Sequence, residues 1–260
     1  MSNALPGLAF AALLAVFSCA LSAASDAADG ARPSVVLLHG LGRTERSMQP
    51  MGEALEGAGF EVANIAYPST DHPFDALVEI VGTKLEACCL DGSAAVNFVT
   101  HSMGGIILRA YVEKKGASRI GRVVMLSPPN RGSQLVDELR ELFLFQWIAG
   151  PAGLELGTDP GSVPSRLGAV SFELGVITGD STFNPFYSWL IPGEDDGKVS
   201  VERAKVNGMA DFMVLPHSHS FIMNSDEVIK QTIYFLGHGR FDHSRIDPER
   251  VDHGQNRASQ

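Results

Sequence analysis

The stretch Val96-Asn97-Phe98-Val99-Thr100-His101-Ser102-Met103-Gly104-Gly105-Ile106-Ile107-Leu108-Arg109 passes from strand grammar to helix grammar across one compressed turn. Val96, Phe98 and Val99 are the β-branched and aromatic residues that favour a buried strand. Ile106, Ile107, Ala110 and Tyr111 then recur at helical spacing, and Lys114, Lys115 and Gly116 supply a basic last turn and a C-cap. Gly104 and Gly105 let the helix start close to the strand. A serine at such a turn is pushed out of the sheet with its hydroxyl exposed and a helix N-terminus behind it, the geometry of a nucleophile elbow. Thr100 stands where Gly-x-Ser-x-Gly has its first glycine. That position packs against the neighbouring helix and strand, and threonine is larger but still compact.

Outward from this turn the chain alternates. Strands are expected at 34–39, 60–67, 95–100, 122–127, 173–178 and 212–215, with helices at 46–58, 73–87, after Ser102 and at 224–236, the last closed by Gly237. Regular alternation implies an α/β fold, a mostly parallel sheet covered by helices on both faces, with functional loops at the carboxyl ends of the strands. Between Pro128 and Val170 prolines and glycines break the pattern, so an insertion of loops and short helices, a cap over about 131–170, is expected there. Within it Leu139 to Ile148 is strongly apolar. It reads either as a core helix on the sheet or as a cap lining an apolar pocket.

Residues 34–238 form the expected domain of this 260-residue chain, ample for one core. Residues 1–25 carry no charged side chain and are apolar from Leu5 to Ala24, which reads as a cleaved signal peptide or a membrane anchor, and hence an exported or membrane-anchored protein. Ser22-Ala23-Ala24 would suit cleavage, while Cys19 raises lipoprotein processing against a bulky Phe17. Residues 26–33 read as a linker and 239–260 as a polar, disordered tail. The net charge of −10 without a basic run argues against nucleic acid. Of the three cysteines, Cys88 and Cys89 are adjacent and read as core positions rather than a disulfide.

A serine hydroxyl is a weak nucleophile and needs a base together with a group that orients the base. In a fold of this kind both come later in the chain, the acid after a late strand and the histidine after the last one. Asp180, Glu194, Asp195 and Asp196 are available. Asp196 is favoured because Gly193 turns the chain before it and Val199 would anchor the loop after it. In Pro216-His217-Ser218-His219-Ser220-Phe221, His219 is favoured over His217 because Phe221 and Ile222 would pin that end of the loop. Developing negative charge calls for an oxyanion hole of backbone N–H groups, one from Met103 and a second from the loop His39-Gly40-Leu41-Gly42, for which Leu41 is the choice. His39 reads as a residue that shapes this loop.

Together with Pro129-Asn130-Arg131-Gly132-Ser133 and Asp196-Gly197-Lys198-Val199, these motifs resemble the α/β-hydrolase superfamily and, within it, bacterial lipase-like serine esterases, over roughly residues 34–238. The resemblance implies Ser102 as nucleophile, Asp196 as acid, His219 as base, Leu41 and Met103 as the oxyanion hole, and a small-molecule or lipid ester as substrate. Acyltransfer, thioester cleavage and a non-catalytic binding module are the alternative uses of such a fold. The acidic pair that calcium-binding bacterial lipases carry near the histidine is missing, so no metal is expected. No His/Cys cluster or phosphate-cradling glycine loop calls for a cofactor. Membrane association is expected only through the N-terminal segment.

Overall fold

The computed structural model describes residues 32–245 apart from 91, 93 and 184. Six strands form one parallel sheet in the order β2-β1-β3-β4-β5-β6: β1 (Ser34–Leu38), β2 (Glu61–Ile65), β3 (Val96–His101), β4 (Ile120–Leu126), β5 (Leu174–Gly179) and β6 (Asp211–Leu215). Successive strand residues point to opposite faces, and each face makes its own core. Val36, Leu38, Phe98, Val123, Met125 and Val176 pack with α2 (Phe74–Cys88) and α3 (Met103–Lys115). On the other face Val35, Leu37, Val99, Val124, Leu126 and Ile177 pack with α1 (Gln49–Gly57) and α9 (Asp226–His238). Burial on both faces is why these strands read as unbroken apolar runs.

Several boundaries differ from the sequence reading for local reasons. The helix expected at 46–58 opens as a 3₁₀ turn, Glu45–Met48, and becomes α-helical at α1, with Pro50 in its first turn, where the missing N–H costs nothing. The last helix starts at Asp226 because the Ser225 side chain caps it by accepting from Val228 N–H. It runs past Gly237 to Gly239, whose left-handed φ of 72° closes it. Two short helices, α7 (Pro185–Leu190) and α8 (Val201–Ala204), lie where the sequence reading placed neither strand nor helix.

The tail expectation falls largely on 246–260, outside the described residues. Phe241, within it, is buried against Phe235, and the Asp242 backbone exchanges hydrogen bonds with the Gln231 side chain. The core assignment for Cys88 and Cys89 is corrected, since they are joined as a disulfide at the end of α2, where Cys88 is exposed. The buried stripe of α2 ends at Leu85, so the last turn has left the core.

The 131–170 segment folds as α4 (Gln134–Leu139), α5 (Phe143–Leu154) and α6 (Val163–Arg166). α5 is two helical pieces hinged at Gly150, whose φ of 62° lets the backbone pass directly against Thr70 O. The piece after the hinge is packed, with Ala152 fully buried. The piece before it is the apolar run of the sequence, and the core-helix reading of that run is corrected: Phe143 and Trp147 are 81% and 75% exposed, and Leu144 and Ile148 are more than half exposed. The N-terminal export or anchor segment lies outside the described residues, among which no helix is long and apolar enough to cross a membrane.

Candidate active site

Ser102 sits between β3 and α3 with φ 51° and ψ −122°, and only it and Ser127 have positive φ among the described non-glycine residues. A left-handed φ costs a β-carbon-bearing residue on the order of 1–3 kcal/mol and persists only where the surroundings enforce it. Here Ser102 N–H is held by Leu126 O at 2.9 Å, and Gly105 N–H closes the first turn on Ser102 O at 3.0 Å. A Cβ on Gly104 would stand 2.7 Å from the carbonyl oxygens of Leu38 and His39, so only glycine lets α3 start this close to β1. Room for Thr100 comes from Gly105, which has no side chain to collide with the threonine hydroxyl.

The structure brings together three of the sequence-predicted residues from three loops. His219 Nε2 lies 3.0 Å from Ser102 Oγ, and His219 Nδ1 lies 2.9 Å from Asp196 Oδ2. Asp196 is 1% exposed. Its other carboxylate oxygen accepts from the N–H groups of Lys198 (3.0 Å) and Val199 (2.8 Å). A carboxylate so satisfied fixes the imidazole with Nδ1 protonated, leaving the Nε2 lone pair toward the serine hydroxyl. His219 N–H also donates to Asp196 O at 2.9 Å, so the two loops are joined through main chain as well as side chains.

The other candidates are committed elsewhere. His217 pairs with Ser225 Oγ at 2.9 Å beside Glu227. Asp195 accepts from Ser188 Oγ and Gly197 N–H, each at 2.7 Å, and ties α7 to the acid loop. Asp180 is exposed and accepts from Ser181 Oγ. His39 is fully buried, stacked on Tyr67 at 4.0 Å, and donates from Nδ1 to Gly40 O, which shapes the turn in which Leu41 lies. Gly40 passes so close that a Cβ there would meet His101 Nδ1 and Ser102 Cβ at 2.7 and 3.1 Å. The Leu41 side chain rests on Gly153, in the packed half of α5. Met103 is fully buried and opens α3, where first-turn N–H groups have no partner within the helix.

Sequence reasoning gave no role to His101. Its Nε2 donates to the backbone oxygen of His219 at 2.9 Å, which ties the end of β3 to the His219 loop. Its Nδ1 is buried without a partner. The signal was its place: a histidine ending a buried strand immediately before the elbow serine. Burial, reinforced by the neighbouring His219, pushes its pKa well below the ordinary histidine value. The unfolded chain takes up that proton near pH 6.5 and the folded chain does not. Between the two values the unfolded state therefore binds more protons, and stability falls as the pH drops below about 6.5. Thermal midpoints measured from pH 7 to 5 are expected to decline, more shallowly in His101→Gln. Equal slopes would show that this imidazole is not the group responsible.

With this geometry in place, comparison with known proteins is informative. A sequence family described as palmitoyl protein thioesterase matches residues 34–155, just under half of the chain and including the Gly40 turn and the elbow but neither Asp196 nor His219. A triacylglycerol lipase from Burkholderia plantarii is 26% identical over 144 residues, which cover 52% of this chain but only 40% of that lipase. Among solved structures, a Bacillus licheniformis lipase in its mature form aligns with a TM-score of 0.64 at 19% identity, covering 80% of this chain and 93% of that one. The phospholipase PlaB from Legionella pneumophila aligns with a TM-score of 0.61 at 19% identity, covering 78% and 58% respectively. Identities this low speak for the fold, and they agree with the parallel sheet, the strained turn at Ser102 and the order of the loops: the chain has the α/β-hydrolase fold.

Proposed function

We propose that the protein is a serine hydrolase that cleaves carboxylic esters of apolar acyl chains through a covalent acyl-enzyme. The observation that carries this reading is the hydrogen-bonded line from Ser102 through His219 to buried Asp196. As Ser102 Oγ attacks the acyl carbonyl, His219 Nε2 takes its proton and Asp196 stabilises the imidazolium. The carbonyl oxygen becomes an oxyanion facing the N–H groups of Leu41 and Met103, each worth about 10²–10³ in turnover. On collapse the leaving group departs with the proton from His219. Water, activated by the same base, then releases the acid and restores Ser102.

The exposed apolar side chains of Phe143, Leu144, Trp147 and Ile148 support an acyl-chain surface on the 131–170 insertion, which acts as a cap in this reading. Thioesters are the second reading, favoured by the family match over 34–155. The uncharged run from Leu5 to Ala24 supports export or anchoring of the protein, and mass spectrometry of the mature N-terminus tests that separately.

A fluorophosphonate probe is expected to label Ser102, located by peptide mapping, and p-nitrophenyl octanoate is expected to be cleaved with at least about tenfold higher kcat/KM than the acetate, since each buried CH₂ contributes about 0.8 kcal/mol. An unlabelled Ser102 would sink the hydrolase reading. A preference for acetate would remove the acyl surface while leaving the chemistry standing.

A further inference from the structure

Each polar group of His219 has a partner. Its side chain reaches Asp196 Oδ2 through Nδ1 and Ser102 Oγ through Nε2. Its N–H donates to Asp196 O at 2.9 Å, and its carbonyl accepts from His101 Nε2 at 2.9 Å. Three of these bonds lead to residues with a part in the proposed reaction, whereas the last leads to a side chain that the reaction leaves without a task. Where the main chain of His219 lies decides where its ring lies. A buried carbonyl stripped of its donor is costly, so a loop that loses one shifts toward another.

The same bond fixes the tautomer of His101. A carbonyl oxygen only accepts, so Nε2 carries the proton and Nδ1 keeps its lone pair. Nδ1 is buried without a hydrogen-bond partner among the described residues. That edge of the ring lies against the Gly40 turn, where a Cβ on Gly40 would stand 2.7 Å from Nδ1 and 3.2 Å from Cε1. A second proton on the ring would be a buried donor with no acceptor, and its charge would face the His219 ring, whose centroid is 5.0 Å away. Burial chiefly, then His219 and more weakly Lys198 and Arg43, keep that proton off and outweigh the bond to the His219 carbonyl.

His101 is well placed to act as a fixed reference. It is the last residue of β3, a strand paired on both sides, and it is 2% exposed. One edge of its ring is bonded to the loop of the base, the other is packed on the turn that contains Leu41, and its backbone continues directly into Ser102.

We propose that His101 is a positioning residue for the reaction: protonated on Nε2 alone, it sets the His219 loop and the Gly40 turn against each other across Ser102. It touches no reacting atom and acts through the carbonyl of His219 and the backbone of the turn. This deepens the hydrolase reading above and rests on it.

The test uses three substitutions. His101→Leu fills the site without a donor, His101→Asn has an amide on a shorter side chain, and His101→Gln has an amide donor of longer reach. With kcat expressed per Ser102 titrated by the fluorophosphonate, the Leu and Asn variants are expected to lose about 10- to 100-fold on p-nitrophenyl octanoate, because a small misplacement of a catalytic group is that costly. KM is expected to stay within about threefold, and His101→Gln to recover kcat to within about fivefold of wild type. A residue that only supports folding would change the yield of titratable sites and leave kcat per site alone. Wild-type kcat per site in whichever of the Leu and Asn variants folds, or a Gln variant as slow as those two, would overturn the positioning role. The wild type supplies a check that needs no folded variant of low stability. In spectra of ¹⁵N-histidine-labelled protein, the ring whose signals vanish in His101→Gln is expected to be neutral, protonated on Nε2, and constant between about pH 8 and 6. An Nδ1-protonated ring, or one that titrates in that range, would also overturn the proposal. Wild-type protein that is neither labelled at Ser102 nor active on any ester would instead remove the hydrolase reading, and this inference with it.

Discussion

Ser102→Ala is expected to lower turnover of p-nitrophenyl octanoate by about 10⁴- to 10⁶-fold while leaving the thermal midpoint at or above that of the wild type. The loss follows from chemistry, because no other hydroxyl lies on His219 Nε2 among the described residues. The unharmed stability follows from position. Among the described residues the Ser102 side chain bonds only that imidazole, while the turn itself is held by main-chain bonds to Leu126 O and from Gly105 N–H. Methyl in place of hydroxymethyl keeps the same backbone demand at φ 51°. Wild-type turnover in this variant, measured on protein with a native melting curve, would remove Ser102 from the reaction.

The second large effect separates two neighbouring acids. Asp196→Asn is expected to reduce kcat about 10⁴-fold, roughly 5.5 kcal/mol of transition-state stabilisation. A neutral amide that keeps accepting from Lys198 and Val199 N–H presents its NH₂ to His219 Nδ1, forcing the tautomer whose Nε2 carries the proton and cannot accept one from Ser102. Asp195→Asn is expected to stay within about tenfold of wild type, because an amide oxygen still accepts from Ser188 Oγ and Gly197 N–H. Parallel kcat measurements on the two variants decide the matter. Equal losses would mean that the acid loop acts as a unit and that neither carboxylate has the orienting role alone.

The sheet and its order of loops were legible because both-face burial leaves unbroken apolar strands, and because Gly104 and Gly105 mark a close approach that nothing larger permits. The choice of Asp196 over Asp195 rested on a turn glycine and a following valine, and Val199 does return a backbone bond to the Asp196 carboxylate. Other features were hidden for definite reasons. α7 and α8 span only six and four residues, too short for a 3.6-residue period to show. The apolar run before Gly150 looks the same in sequence whether a core or solvent covers it, and only the hinge sets it outside. The place of His101 depends on a contact to a residue 118 positions away, which no local pattern records.

The hinge at Gly150 divides labour within one helix. Its packed half supports Leu41, and so the turn that would face the oxyanion in the proposed reaction, while its outer half carries the side chains that would meet the acyl chain. The proposed reading thereby puts selectivity and rate on separable pieces of chain. In the proposed reading Phe143, Leu144, Trp147 and Ile148, which are exposed, can drift in size and shape without moving a catalytic group, so divergence among relatives of this protein would have a route to new acyl preferences that leaves the reaction intact.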